Sequence, residues 1–283
     1  MPIFIDGHVH IYPEFPVDQF LAAAWDNFSR IADSSKISSD LHYVLVLTEG
    51  QGFDFFTRFK QQAVPLNDAV GERDLSSSWS FYRTDEPDSL IARKGKASMV
   101  IVAGRQIISR ENIELLSLLS SFKVEDHTLS LEDLAKTIAA DGGLPVVPWG
   151  VGKWLGARGK VVESLLHSRR DYPLFLGDNG NRPSFWPESV LISQARDLHV
   201  PILSGSDPLP LISHLSRPGS SGAFLRQGKL SMKHPAASLS RLLINEKDIA
   251  GFFNCTGPFQ FVIDQLRINL RKQSSRIFEK SGS

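Results

Sequence analysis

The residues best equipped for chemistry are His8 and His10, which close a short apolar run in Ile5-Asp6-Gly7-His8-Val9-His10. Side chains alternate along a strand, so the two histidines leave on one side and Val9 on the other, setting two imidazoles side by side at the strand's end. Neutral imidazole is the commonest ligand for zinc and similar ions, and a catalytic centre takes about three protein ligands plus an open position for water. Two histidines begin such a site without completing it. Asp207, in Ser204-Gly205-Ser206-Asp207-Pro208, is the third candidate, as ligand or general base. It could instead cap the following helix, since Asp before Pro is a common pairing at helix starts. The corresponding alternative for His8 and His10 is a structural pair, hydrogen-bonded beneath the strand end.

These residues need a scaffold, and the rest of the chain reads as one. Apolar segments at 3–5, 43–47, 144–148, 174–176 and 201–203 have strand character, and helical stretches fall at 17–31, 53–62, 111–119, 131–140 and 187–198. That alternation predicts an α/β fold, a TIM-like (β/α)7–8 barrel, regular or distorted, with a β-hairpin or meander inserted around 75–108. Residues 1–268 read as one domain and 269–283 as a polar, basic tail without a periodic core face.

In such a fold the loops after the strands gather at one rim, where chemistry collects. The unusual polar residues fall at these loops. Glu49 and Asp178 are candidates for a fourth ligand or general base. Gln106 would hydrogen-bond a ligand or tie down its loop. Lys153 and Arg158 lie in a glycine-bearing loop suited to an anionic group, and Asn179 and Arg182 in Gly177-Asp178-Asn179-Gly180-Asn181-Arg182-Pro183 extend the binding set. The blander readings are a plain turn for 177–183 and a solvated surface side chain for Arg158. His127, His167, His199, His214 and His234 lack metal-ligand spacing and read as structural or surface residues.

Composition sets the class. Hydrophobic residues make up 42% and charged residues 22%, with Lys+Arg and Asp+Glu balanced at 31 each, as in an ordinary globular protein. The balance predicts neither nucleic acid nor a membrane as partner, while Lys153, Arg158 and Arg182 predict a small anionic substrate or metabolite. The lone Cys255 and the absence of a leader-like start predict a cytoplasmic protein.

At His8, His10 and Asp207 the chain resembles two related groups of metal-dependent hydrolases, the polymerase and histidinol phosphatase (PHP) family and, more distantly, the amidohydrolase superfamily. Both begin with His-x-His at the end of the first strand and carry a late-strand aspartate. Further PHP motifs look like Leu47-Thr48-Glu49, Gly104-Arg105-Gln106 and Gly205-Ser206-Asp207-Pro208-Leu209, with Glu49 near an expected Asp-His, Gln106 in place of a glutamate and Leu209 in place of a histidine. The resemblance implies a reduced metal set of one divalent ion, zinc or manganese, or none, held by His8, His10 and Asp207. Amidohydrolases offer Lys153 a second role, as a carboxylated bridging lysine. The implied activity is hydrolysis of a small phosphoester, lactone or amide by a metal-activated water. A barrel that has lost catalysis and binds an anionic metabolite or a protein is the alternative.

Overall fold

A computed structural model describes residues 1–37, 40–66, 77–124, 128–168, 171–246 and 249–281. The N-terminal run forms β1 (Ile3–Val9), followed by α1 (Val17–Ser34), β2 (His42–Leu47) and α2 (Phe55–Gln62). Then come β3 (Val64–Pro65), β4 (Ser80–Arg83), β5 (Ser89–Lys94), β6 (Ala97–Val102), β7 (Gly104–Ile108) and β8 (Glu114–Leu118). The second half holds α3 (Leu131–Ala140), β9 (Leu144–Pro148), α4 (Gly156–His167), β10 (Phe175–Gly177), α5 (Val190–Asp197), β11 (Gly222–Leu225), α6 (Pro235–Asn245), β12 (Ala250–Phe252) and α7 (Pro258–Ser281). No helix among the described residues is long and apolar enough to cross a membrane.

Two mixed sheets result, one ordered β12-β11-β1-β2-β6-β5-β4-β3 and one ordered β10-β9-β8-β7. Strand alternation sorts their side chains into an interior and two outer layers. Ile3, Ile5, Val44, Val46, Val100 and Val102 of the first sheet share one apolar cluster with Leu116, Leu118, Leu144, Val146 and Phe175 of the second. On the outside, Phe4, Tyr43, Leu45 and Leu47 pack with Phe20, Leu21, Ala24 and Phe28 along one stripe of α1. Ile107, Leu115, Val147 and Leu176 pack with α3, α4 and α5 through Leu134, Ile138, Val162 and Ile192. Each such side chain removed from water contributes about 1.5–3 kcal/mol, so the partition itself is strongly enforced.

One irregularity matters for the site. The β1–β2 register slips between Asp6 and Val9, so that an extra residue of β1 opposes β2. Strict alternation would put Val9 on the interior side with Ile3 and Ile5, yet it packs in the outer cluster with Phe4. The bulge therefore turns His8 and His10 inward.

Isolated bridges link Glu49, just after β2, with Arg105 of β7, and link Leu176 and Asn179 with Ile202 and Gly205 of the segment that passes beside β1. Close to them, Gly7 N–H donates to Ser204 O at 3.0 Å. Backbones come unusually near at this seam. A Cβ on Gly7 would lie 2.8 Å from Leu203 Cγ, and one on Gly205 only 2.3 Å from His8 N.

The structure alters three expectations. The sheets are mixed rather than parallel, with β7–β8 and β8–β9 antiparallel. The stretch 111–119, expected as a helix, contains β8, because Leu115 and Leu116 serve opposite faces of a sheet covered on both sides, and a strand buried on both faces loses the polar alternation that would mark it. Residues 269–281, expected as a tail, continue α7. The meander region holds β4, β5 and β6 as successive antiparallel partners, while β7 belongs to the other sheet.

The seam yields a stability prediction. Gly205→Ala drives a methyl group into backbone and is expected to destabilise the protein by about 2–3 kcal/mol. Gly52→Ala meets nothing within 4 Å and bears only the penalty of a left-handed φ of +85°, about 1 kcal/mol. Urea unfolding of both variants is the measurement, and equal losses would contradict the packing argument.

Candidate metal centre

On the interior side of the bulge, His8 Nε2 and His10 Nε2 lie 2.9 Å apart, and each is 3.5 Å from Asp207 Oδ1. Ligands about 2.0–2.2 Å from a shared ion stand roughly 3–3.5 Å from one another, so these spacings fit a metal. The histidines are buried, and 17% of the Asp207 side chain reaches solvent, which leaves the group an open side. Burial, aided by the neighbouring His8, lowers His10 to about 4, with Asp207 and the Gln106 side chain working against the shift. His10 is therefore neutral near pH 7, the form that ligates. Burial alone would raise the Asp207 carboxyl, but His8, His10, Asn181 and Lys153 together hold it below the usual carboxylate range.

Asp207 has a left-handed φ of +47°, uncommon for a residue with a side chain. The surroundings enforce it. Its N–H donates to His8 O at 2.8 Å, Asn179 Nδ2 donates to its Oδ2 at 2.9 Å, and Asn181 Nδ2 donates to its carbonyl at 2.5 Å. Asn179 is itself fixed by a bond to Trp149 O. With Oδ2 engaged, Oδ1 is the oxygen turned to the histidines.

Beneath the centre, the fully buried Asp6 accepts from Ser206 Oγ at 2.5 Å, Gly219 N at 2.7 Å, Ser206 N at 2.8 Å and His8 N at 3.3 Å. Burial pushes its carboxyl up to about 7 while these four donors pull it down. The loop after Asp207 is held from another direction. Leu209 N–H donates to His214 Nδ1, so His214 carries its proton on Nε2 and donates it to Asp264 Oδ2 at 3.0 Å. Asp264 sits on α7 and also accepts from Gln260.

The structure gathers some of the expected residues and not others. His8, His10, Asp207, Gln106, Asn179 and Lys153 come together. Glu49 does not, because it falls on the outer side of β2's extension, where its carboxylate accepts from Phe55 and Phe56 N–H at the start of α2 and pairs with Arg105. Asp178 precedes the inward Asn179 by one residue and so faces outward, where Arg182 grips it through Nε at 3.2 Å and a terminal nitrogen at 3.0 Å. Arg158 folds back on Gly152 O at 3.1 Å. An outer cavity of about 700 Å³ is lined by Asp178, Arg196, His199 and Phe253, and it includes none of the three metal-ligand candidates. His127 lies outside the described residues.

Two residues at the centre were not anticipated. Glu114 of β8 forms an ion pair with Lys153, and Tyr12 sets its ring 6.0 Å from that of His10. Glu114 was hidden by the helical reading of its segment. Tyr12 carried a usable signal, since it continues the alternation of His8 and His10.

No family model and no curated protein matches the sequence. Solved structures do. A lesion-specific endonuclease from Pyrococcus furiosus shows 10% identity over 89% of this chain and 58% of its own, with a TM-score of 0.52. PsfC from Pseudomonas syringae shows 13% identity over 96% and 98%, with a TM-score of 0.47. A two-domain protein from Bacteroides vulgatus, described as containing a predicted PHP-like metal-dependent phosphoesterase, shows 11% over 90% and 65%, with a TM-score of 0.46. The chain thus spans somewhat more than half the length of the endonuclease. The likeness is one of fold, shared with the endonuclease. It also corrects one expectation. A fold shared with an endonuclease removes the exclusion of nucleic acid that the neutral charge balance had suggested, because net charge reports on the whole surface and not on one rim.

Asp6→Ala is expected to destabilise the protein by about 3 kcal/mol or more, since it strands three buried N–H groups and a hydroxyl. Chemical denaturation measures it, and a loss below about 1 kcal/mol would show that Asp6 does not anchor the seam.

Proposed function

We propose that the chain is a metal-dependent hydrolase in which His8, His10 and Asp207 hold one divalent ion, zinc or manganese, and that its substrate is a phosphoester. The observation that carries the reading is the convergence of three donor atoms, two of them imidazole nitrogens, on one partly open point. A bound ion supplies a Lewis acid and lowers the pKa of water beside it.

The chain's own groups do the rest. Asn179 turns the Asp207 carboxylate by holding Oδ2, so that ligand is pre-organised. Lys153 brings positive charge to the open side, which suits the non-bridging oxygens of a phosphoryl group. Tyr12 lies at the same edge and stays protonated, since burial and the nearby Asp207 and Glu114 all push its hydroxyl upward. It is then a donor. Asp207 is the general base in this reading, because Glu49 and Asp178 are spent on outer-face partners. The reading includes a TIM-like barrel, supported by the bridges from Glu49 to Arg105, Leu176 to Ile202 and Asn179 to Gly205 and by the bond from Gly7 to Ser204.

Protein purified without chelator is expected to carry about one equivalent of divalent metal. His10→Ala and Asp207→Ala are expected to lose it and to lower kcat/KM on a chromogenic phosphodiester by at least about a hundredfold, some 2.7 kcal/mol of barrier. A DNA duplex carrying a lesion belongs in the same assay. Metal without turnover on any phosphoester would favour a binding protein, and absence of metal would sink the reading.

A further inference from the structure

Helix α7 inverts the usual sorting of an amphipathic helix. Phe259, Val262, Ile263, Leu266 and Leu270 are exposed, whereas Asp264 is 2% exposed. None of its described side chains belongs to the three apolar clusters. A buried carboxylate is costly to desolvate unless its oxygens are matched. Here Oδ2 accepts from His214 Nε2 at 3.0 Å and Oδ1 from Gln260 at 2.7 Å. His214 is buried as well. The acid that α7 buries is thus committed to one imidazole.

That imidazole serves the loop after Asp207. Pro208 and Pro210 have no N–H, so Leu209 carries the sole backbone donor between Asp207 and Leu211, and it donates to His214 Nδ1 at 3.0 Å. A short turn at Ile212–His214 brings the imidazole back to it. Pro208 fixes its own φ, which leaves few torsions between Asp207 and the tethered amide. A residue before proline favours extended backbone, yet Asp207 has a φ of +47°. On its N-terminal side that conformation is held by the bond from Asp207 N–H to His8 O. On its C-terminal side the Leu209 amide is the first donor available as an anchor. Arg271 of α7 adds a bond to Pro210 O at 2.6 Å and a pair with Glu14, in the segment that follows His10. Being half exposed, it contributes less than the buried relay.

We propose that His214 and Asp264 are positioning residues for Asp207, and that α7, through the relay from Asp264 by way of His214 to Leu209, sets metal affinity rather than fold stability. The proposal rests on the reading of His8, His10 and Asp207 as metal ligands.

The test is calorimetric titration with Mn2+, together with amide exchange by NMR at Asp207 and Leu209 in the metal-free protein. The double variant His214→Leu/Asp264→Leu replaces both buried partners by apolar side chains and strands no charge. It is expected to unfold in urea close to the wild-type midpoint and to bind Mn2+ about tenfold more weakly or worse. Both amides should exchange at least about tenfold faster. Asp264→Asn, whose Oδ1 can accept the same Nε2 proton, should stay within about threefold of wild-type affinity. Leu239→Ala, a buried core position on α6, controls for lost stability and should also stay within about threefold. Unchanged affinity in a folded double variant, or an equal loss in Leu239→Ala, would overturn the proposal and leave the metal site standing. A wild type that binds no Mn2+ would instead remove the ligand reading. Exchange at the two amides then decides the relay, and equal rates in wild type and double variant would refute it. Should the double variant fail to fold, Asp264→Ala takes its place with the same expectation, and failure of both to fold would show that the relay serves stability and overturn the proposal.

Discussion

The architecture of the centre hangs on the close approach of β1 to the segment 203–207. Gly7 and Gly205 permit it, since any side chain at Gly205 would enter the space of His8's backbone. Asp6 locks it with four hydrogen bonds, two of them to Ser206 and one to Gly219. A buried carboxylate costs several kcal/mol to desolvate unless its lone pairs are matched, and here they are. The result is that residues two hundred positions apart in sequence, Asp6 and Ser206, fix the spacing between His8 and Asp207.

A second constraint is the period of two along each strand. It divides the polar residues of the rim more strictly than their positions in the chain suggest. Asn179 faces in and Asp178 faces out, though they are adjacent. Glu49 likewise ends on the outer side, where it serves α2 and Arg105. The outward carboxylates find cationic or N–H partners there, and the inward set is left small and specific. The bulge between Asp6 and Val9 is the exception that places the histidines, because it reverses the parity of β1 just where β1 ends.

Charge at the centre is likewise local. The chain is neutral as a whole, but Lys153 and Glu114 place one cation and one anion within the neighbourhood of His10 and Asp207. Arg217, half-buried and bonded to Gly180 O and to Thr256, adds a second cation behind the 180–183 turn. On the far side, α7 restrains the loop that follows Asp207 through Asp264, which holds His214, and through Arg271, which donates to Pro210 O at 2.6 Å. A large part of the protein is thus devoted to holding one left-handed aspartate in place, and strain of this kind persists only where the surroundings over-determine it.

The sequence by itself determined the chemistry on offer: His-x-His at a strand end, a late Asp, a cation in a glycine-bearing loop, and an alternating α/β scaffold with a hairpin or meander around 75–108. These are local properties, carried by residue type and by spacing of two to four positions. It could not determine which rim residues meet. The parity of Glu49 and Asp178 depends on which sheet face is interior, and the strand identity of 114–118 depends on burial on both faces, which erases the alternation a strand would otherwise display. Glu114 became visible only with that strand, and the bulge that turns His8 and His10 inward only with the pairing of β1 and β2. The tertiary structure decided the site because its geometry is a matter of register and facing, and both are set by long-range pairing that no local pattern encodes.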